Sequence, residues 1–282
     1  MGRVDGKVAL ITGAARGQGR SHAIRLAEEG ADIVALDICE EGAIDSTAYP
    51  LGSQSELDET ANMVESLDRR VVARRADVRS LADMEAAVET AIAELGGIDI
   101  VCANAGIGTY GFTWELTEAE WKDMMDVNLT GVWHTCKTTI PKMIEAGNGG
   151  AIVITSSFGG ARAINTAGHY CATKHGVVGL MRVLSQELAA HSIRVNTVHP
   201  MAVNTMLATN EATLGLFRPD LEHPTAEDAM AELHGLHALP VPWVEPVDVS
   251  NAILWLTSDE GRYVTGTEVT VDAGSQQKMP HA

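Results

Sequence analysis

The segment Val8-Ala-Leu-Ile-Thr-Gly-Ala-Ala-Arg-Gly-Gln-Gly19 runs from an unbroken apolar stretch through a glycine-rich turn into an amphipathic one, Ser21–Glu29. Val8–Thr12 reads as a strand, because successive apolar residues suit a strand covered on both faces. Glycines then stand where the chain must turn tightly, and a helix follows. Strand, glycine turn and helix in that order make one unit of an alternating α/β fold, and the rest of the chain repeats the alternation. Further β-rich runs lie at Ile33–Asp37, Val71–Arg74, Ile98–Ala103, Ala151–Thr155, Ile193–His199 and Glu268–Val271. Helical patterns such as Leu81–Leu95 and Val177–Ala190 separate them. This predicts a doubly wound parallel sheet of seven strands with helices on both faces, in a single domain over residues 1–282.

Two segments interrupt the rhythm. Cys39–Asp58 carries Gly42, Pro50, Gly52 and several Ser and Asp residues, and reads as a surface excursion before a helix resumes. Met201–Pro246 mixes apolar residues with five prolines, as a lid over a binding site would. Its apolar members, among them Met206, Leu207, Leu214, Leu216, Phe217, Leu233 and Leu236, suit either a hydrophobic ligand or ordinary core contacts. The last residues, Gln276–Ala282, read as a frayed tail or a contact between subunits.

Composition excludes several classes of function. The net charge is −18, so the surface repels phosphate backbones and anionic lipid, against nucleic-acid and membrane-surface roles. No run approaches the roughly 18 apolar residues of a membrane span. Val8–Ile11 is too short for a signal-peptide core. Cys39, Cys102, Cys136 and Cys171 are far apart and form no paired motif, which suits free thiols in the cytoplasm rather than disulfides or zinc.

The glycine turn is a phosphate cradle in prospect. Gly13, Gly17 and Gly19 let the backbone approach a pyrophosphate, and the helix N-terminus offers N–H groups and a positive dipole end to it. The spacing G-x-x-x-G-x-G differs from the commoner G-x-G-x-x-G, so Asp37 matters. It ends the second strand 18 residues after Gly19, where a carboxylate would accept hydrogen bonds from an adenosine ribose and repel a 2′-phosphate. NAD is favoured over NADP, although Arg16 near the cradle could pair with phosphate.

Tyr170 and Lys174 stand four residues apart, on one face if the stretch is helical, and Ser157 ends the fifth strand. A phenol is a poor base at neutral pH unless a neighbouring cation favours its ionised form, a role open to Lys174. Ser157 lacks the G-x-S-x-G surroundings of a hydrolase nucleophile, and the histidines and cysteines make no zinc motif. A non-catalytic NAD-binding redox sensor is the alternative from another class, but it has no need of the intact Ser157–Tyr170–Lys174 set.

Taken together, Thr12-Gly-x-x-x-Gly-x-Gly19, Asp77-Val78, Asn104-Ala-Gly106, Asn128, Ser157, Tyr170-x-x-x-Lys174 and Pro200 resemble the short-chain dehydrogenase/reductase family along nearly the whole chain. The resemblance implies a Rossmann-type fold. It also implies that Tyr170 is the general acid/base and that Ser157 orients the substrate oxygen. Lys174 would lower the phenol's pKa and hold the nicotinamide ribose, and Asn128 would support a proton relay through Lys174. The implied NAD contacts are Gly13, Arg16, Gly17, Gln18, Gly19, Asp37, Ile38, Asp77, Val78, Asn104, Ala105, Gly106, Tyr170, Lys174, Pro200, Val203 and Thr205. The family's Pro-Gly after the sixth strand is Pro200-Met201 here, which places backbone freedom at that corner in question.

A narrower likeness lies in Gly17-Gln-Gly-Arg-Ser-His-Ala23, Glu29-Gly-Ala-Asp-Ile33, Asp37-Ile-Cys39 and Tyr49-Pro-Leu51, which resemble the actinobacterial carveol dehydrogenase group. That likeness implies a terpene-like hydrophobic secondary alcohol or its ketone as substrate, tightly held NAD and the redox carrier mycofactocin as partner. A steroid or other cyclic-alcohol dehydrogenase with freely exchanging NAD(H) is the alternative, and the family resemblance implies a homotetramer.

Overall fold

The computed structural model describes residues 2–278. Seven parallel strands form one sheet: β1 (Val8–Thr12), β2 (Asp32–Asp37), β3 (Val71–Arg75), β4 (Ile100–Ala103), β5 (Gly150–Thr155), β6 (Ile193–Pro200) and β7 (Glu268–Val271). Their order is β3-β2-β1-β4-β5-β6-β7, so the chain winds outward from β1 and then returns to β4 and winds the other way. Each expected strand is present. The largest difference is at β4, which begins at Ile100 rather than Ile98. Asp99 just before it takes the N–H of Val8 on its carboxylate (2.9 Å), tying the start of β1 to that of β4.

Alternate side chains of the inner strands enter two separate cores. Leu10, Val34, Leu36, Val101, Ile152 and Ile154 pack on α3 (Leu81–Leu95), α4 (Glu118–Met125), α5 (Gly131–Ala146) and α6 (Gly168–Glu187). Ile11, Ile33, Ala35, Ile100, Cys102 and Val153 pack on α1 (Gly17–Glu28), α2 (Gln54–Glu65) and α10 (Pro246–Thr257). Burial on both faces explains why these strands are apolar throughout rather than alternating.

Helix boundaries differ from expectation where a turn does more than the periodicity shows. α1 starts at Gly17, inside the glycine turn, four residues before the amphipathic pattern begins. α6 starts at Gly168 rather than Val177, which brings Tyr170 and Lys174 onto its first two turns. α2 starts at Gln54, inside the predicted excursion. The Ser53 hydroxyl accepts the Glu56 N–H and the Glu56 carboxylate accepts the Ser53 N–H, a reciprocal cap that ends the loop there.

The segment after β6 folds into α7 (Met206–Thr209), α8 (Glu211–Phe217) and α9 (Met230–Leu236). Leu214, Ala229 and Leu233 make a small core of their own, with Phe217, Leu236 and Trp243 against it. Of the tail, Lys278 donates from Nζ to the carbonyl of His237 (2.7 Å), and residues 279–282 lie outside the described residues. No helix among the described residues is long and apolar enough to cross a membrane.

His22 fastens α1 to α10. It is fully buried, and its Nδ1 bonds the Ser250 hydroxyl at 2.8 Å. Burial pulls its pKa down from 6.5 to about 3, so the folded protein keeps it neutral. The unfolded chain takes up that proton first as pH falls below 6.5, so the stability is complete above that value and drains away toward pH 3. At pH 5 the loss is expected to reach about 2 kcal/mol. The thermal midpoint of the native protein should therefore fall more steeply between pH 7 and pH 5 than that of His22→Gln. Parallel slopes would refute the assignment.

Candidate active site

Where the strand order reverses, at the carboxyl ends of β1 and β4, the sheet opens into a cavity of 320 Å³. Its floor begins at the glycine turn. Gly13 has a φ of 70° and Gly17 one of 57°, both in the left-handed region. A Cβ on Gly19 would stand 1.9 Å from the carbonyl oxygen of Gly13. The turn is thus drawn against the start of α1 as tightly as backbone allows, leaving the helix N-terminus facing the cavity.

Asp37 ends β2 with both carboxylate oxygens beside the turn. Oδ2 accepts the N–H of Ala15 at 2.9 Å, and Oδ1 receives a longer bond from Cys39 N–H at 3.4 Å. Burial raises its pKa, while these N–H groups and the Arg16 guanidinium oppose the rise. Arg16 itself reaches the excursion: it donates to the carbonyl of Pro50 and pairs with Glu56 at 3.7 Å. The guanidinium that could have met a ribose phosphate is committed to protein partners.

At the other end of the cavity stand Ser157, Tyr170 and Lys174. The Ser157 hydroxyl accepts the N–H of Gly159 (3.1 Å), so its own proton remains to be donated. Lys174 Nζ donates to the carbonyl of Thr155 (2.8 Å) and lies 5.6 Å from the Tyr170 ring centroid. Burial draws the Lys174 pKa down to about 8. It pushes the Tyr170 phenol upward, with the Ser157 hydroxyl opposing. Burial is the largest influence on the phenol in this structure. Both groups are desolvated, and the ammonium is turned to a main-chain carbonyl.

Asn128 is the one expected site residue that does not line the cavity; it is wholly buried on a π-helical turn, Asp126–Thr130. Its amide grips Ile107 twice, Oδ1 accepting the N–H (2.8 Å) and Nδ2 donating to the carbonyl (2.9 Å). Gly106 separates it from the lysine. The point where a Gly106 Cβ would stand is 3.3 Å from Asn128 Oδ1 and 3.5 Å from Lys174 Nζ.

The remaining expected residues all reach the cavity wall: Gln18, Ile38, Asp77, Val78, Asn104, Ala105, Pro200, Val203 and Thr205. Two of them have structural duties as well. The Asn104 side chain bonds the Thr12 carbonyl (3.1 Å) and the Thr155 hydroxyl (3.2 Å), stitching β1, β4 and β5 together at their ends. The Asp77 carboxylate is paired with Arg79 at 2.7 Å. The doubt about Pro200-Met201 resolves one residue later. Met201 has no positive φ, and the left-handed residue is Ala202, with a φ of 44°.

Sequence reasoning missed the contribution of the excursion. Ile44, Tyr49, Leu51 and Gly52 form part of the cavity wall, and the Tyr49 hydroxyl accepts the N–H of Gly108 (3.0 Å) on the loop after β4. Apolar residues and a tyrosine within an otherwise polar loop were the available signal. Tyr110, on that same loop, was missed too.

Comparison with known proteins agrees with this geometry. The family model described as short chain dehydrogenase matches residues 7–213. A short-chain type dehydrogenase/reductase of Mycolicibacterium smegmatis is 56% identical over 98% of this chain and 99% of its own length. The (-)-trans-carveol dehydrogenase of Rhodococcus erythropolis is 52% identical over 99% of this chain and 100% of its own. The crystal structure of carveol dehydrogenase from Mycobacterium avium in complex with NAD superposes with a TM-score of 0.96 at 52% identity, covering 99% of this chain and 100% of that one.

Proposed function

The chain belongs to the short-chain dehydrogenase family and is an NAD-dependent alcohol dehydrogenase, and from that premise we propose that it interconverts a terpene-like cyclic secondary alcohol and its ketone by Ser157–Tyr170–Lys174 catalysis. The observation that carries this is the meeting of those three side chains at one end of the cavity whose other end is the glycine turn and Asp37.

The residues fit the dinucleotide. A turn closed so far that Gly19 has no room for a Cβ presents main-chain N–H groups to a pyrophosphate. Asp37, with Arg16 engaged elsewhere, suits ribose hydroxyls rather than a phosphate. Asp77, Val78 and Ile38 would flank the adenine. Asn104, Ala105 and Gly106 would line the middle, and Pro200, Val203 and Thr205 the nicotinamide end. When bound, NAD supplies the two-electron acceptor of alcohol oxidation and, oxidised, a positive ring.

Ser157 donates its proton to the substrate oxygen, with Gly159 N–H holding the acceptor side of the hydroxyl. Tyr170 takes the carbinol proton in oxidation and returns it in reduction. Lys174, charged below about pH 8, favours the phenolate. Lys174 Nζ and Asn128 Oδ1 lie 3.5 and 3.3 Å from one point beside Gly106, which supports a proton path from Tyr170 through Lys174 toward Asn128. Leu207, Leu216, Phe217 and Leu236 make the neighbouring wall apolar, which suits a hydrophobic ring.

The excursion supports tight retention of NAD and its recycling by mycofactocin in place of exchange, because Tyr49 pins the loop over the cavity to Gly108. Four free thiols suit the cytoplasm, and the exposed Trp133 and Val183, on α5 and α6, suit packing into a homotetramer. The test is an absorption spectrum of purified, desalted protein, followed by release and assay of NAD(H) and by turnover of cyclic alcohols with an artificial electron acceptor. Near-stoichiometric NAD(H) with acceptor-dependent turnover is expected. Tyr49→Phe, which loses the pin, should retain several-fold less NAD through the same column. Protein that holds none and uses free NAD with cyclic alcohols would reduce the reading to an ordinary exchanging dehydrogenase.

A further inference from the structure

Beyond Ser157 and Tyr170 the chamber is walled mainly by carbon, and Tyr110 and Thr213 are hydroxyls that interrupt that wall. Tyr110 stands on the loop after β4. Gly111 next to it donates to the Thr166 carbonyl (2.7 Å) and bridges to Ala167, at the start of the helix that bears Tyr170. That pin fixes the loop bearing Tyr110 beside the start of that helix. Thr213 is held as firmly: its hydroxyl donates to the Leu207 carbonyl (2.9 Å) and accepts from Asn210 Nδ2 (2.9 Å).

Thr213 is the neighbour of the Tyr110 phenol: burial raises the phenol's pKa and the Thr213 hydroxyl opposes the rise. A phenol hydroxyl facing a cavity can both donate to and accept from a ligand hydroxyl. In a wall of leucine and phenylalanine such a group is costly without a partner, and a phenylalanine would fill the place at no such cost.

We propose that Tyr110, backed by Thr213, is a specificity-determining residue that binds a second oxygen of the substrate, apart from the carbinol oxygen at Ser157 and Tyr170. The favoured substrates are then cyclic secondary alcohols, or their ketones, that carry a further hydroxyl on the ring. The inference rests on the cyclic-alcohol reading of the cavity and narrows it.

Binding separates the two. The ketones 3-hydroxy-3-methylcyclohexanone and 4-hydroxy-4-methylcyclohexanone, and their partners with methyl in place of the hydroxyl, are titrated calorimetrically into protein saturated with oxidised NAD. That combination cannot react, because a tertiary carbinol has no hydrogen to give as hydride. An apolar chamber alone favours methyl over hydroxyl. The native protein is expected to bind at least one hydroxy ketone about tenfold more tightly than its methyl partner. In Tyr110→Phe that ratio should fall to one or below, and in Thr213→Val it should fall part of the way. A native protein that prefers both methyl ketones overturns the inference, and this comparison needs no variant. A hydroxyl preference that survives Tyr110→Phe overturns it as well. Failure to bind any ring ketone, together with no turnover of ring alcohols, overturns both this inference and the broader reading.

Discussion

Tyr170→Phe is expected to lower kcat about 10³-fold while NAD content after desalting stays unchanged. The substitution removes one oxygen and leaves the ring. The cation–ring contact with Lys174 and the bond from Lys174 to Thr155 do not involve that oxygen. Ser157 keeps the bond from Gly159 to its oxygen, and its own proton can turn to the open cavity, so the thermal midpoint should move little. What disappears is the group proposed to exchange a proton with the carbinol oxygen. The pH profile gives a second check. Burial sets the phenol high, so the native rate of alcohol oxidation should rise with pH as the phenolate becomes accessible. The residual rate of the variant should lack that slope. A loss of less than tenfold, or a slope that persists, would remove Tyr170 from the acid/base role.

The reason that burial and not Lys174 dominates the phenol also explains what could be read from sequence and what could not. Strands covered on both faces announce themselves as apolar runs, so Val8–Thr12 and Glu268–Val271 are found with the same boundaries in sequence and structure. Asp37 was legible because its place at the end of β2 follows from chain distance to the glycine turn. Tyr170 and Lys174 were legible because helical spacing puts them on one face. The direction of the Tyr170 shift depends on how much of the protein surrounds the phenol, a tertiary quantity that no local spacing contains. Tyr49 and Tyr110 were hidden for a related reason. Both lie on loops without periodicity, and the bond from Gly108 to Tyr49 spans 59 residues. The left-handed Ala202 shows the limit of analogy: a missing glycine at position 201 raised a doubt, yet the strained residue is its neighbour.

Gly19→Ala is expected to reduce NAD affinity by about 100-fold or more, because the added methyl group cannot enter without moving the turn. Its Cβ would lie 1.9 Å from the Gly13 oxygen, 2.6 Å from the Gly13 carbonyl carbon and 3.0 Å from the Ala14 Cα, all of them backbone atoms. No rotamer relieves a clash with main chain, so Gly13–Ala14 must shift. Gly13 cannot retreat freely, since a point at its own Cβ position is already 3.0 Å from the Ala105 Cα. The displaced N–H groups then miss the pyrophosphate, and each hydrogen bond to a charged group lost in this way costs about 1.5–3 kcal/mol. Two such losses give the expected factor. Gly97→Ala is the control, because nothing lies within 4 Å of its Cβ position. It should match the native protein in NAD content and thermal midpoint, whereas Gly19→Ala loses both. Retention of NAD by Gly19→Ala at native levels would mean that the turn does not hold the pyrophosphate, and the cofactor would have to be placed elsewhere in the cavity.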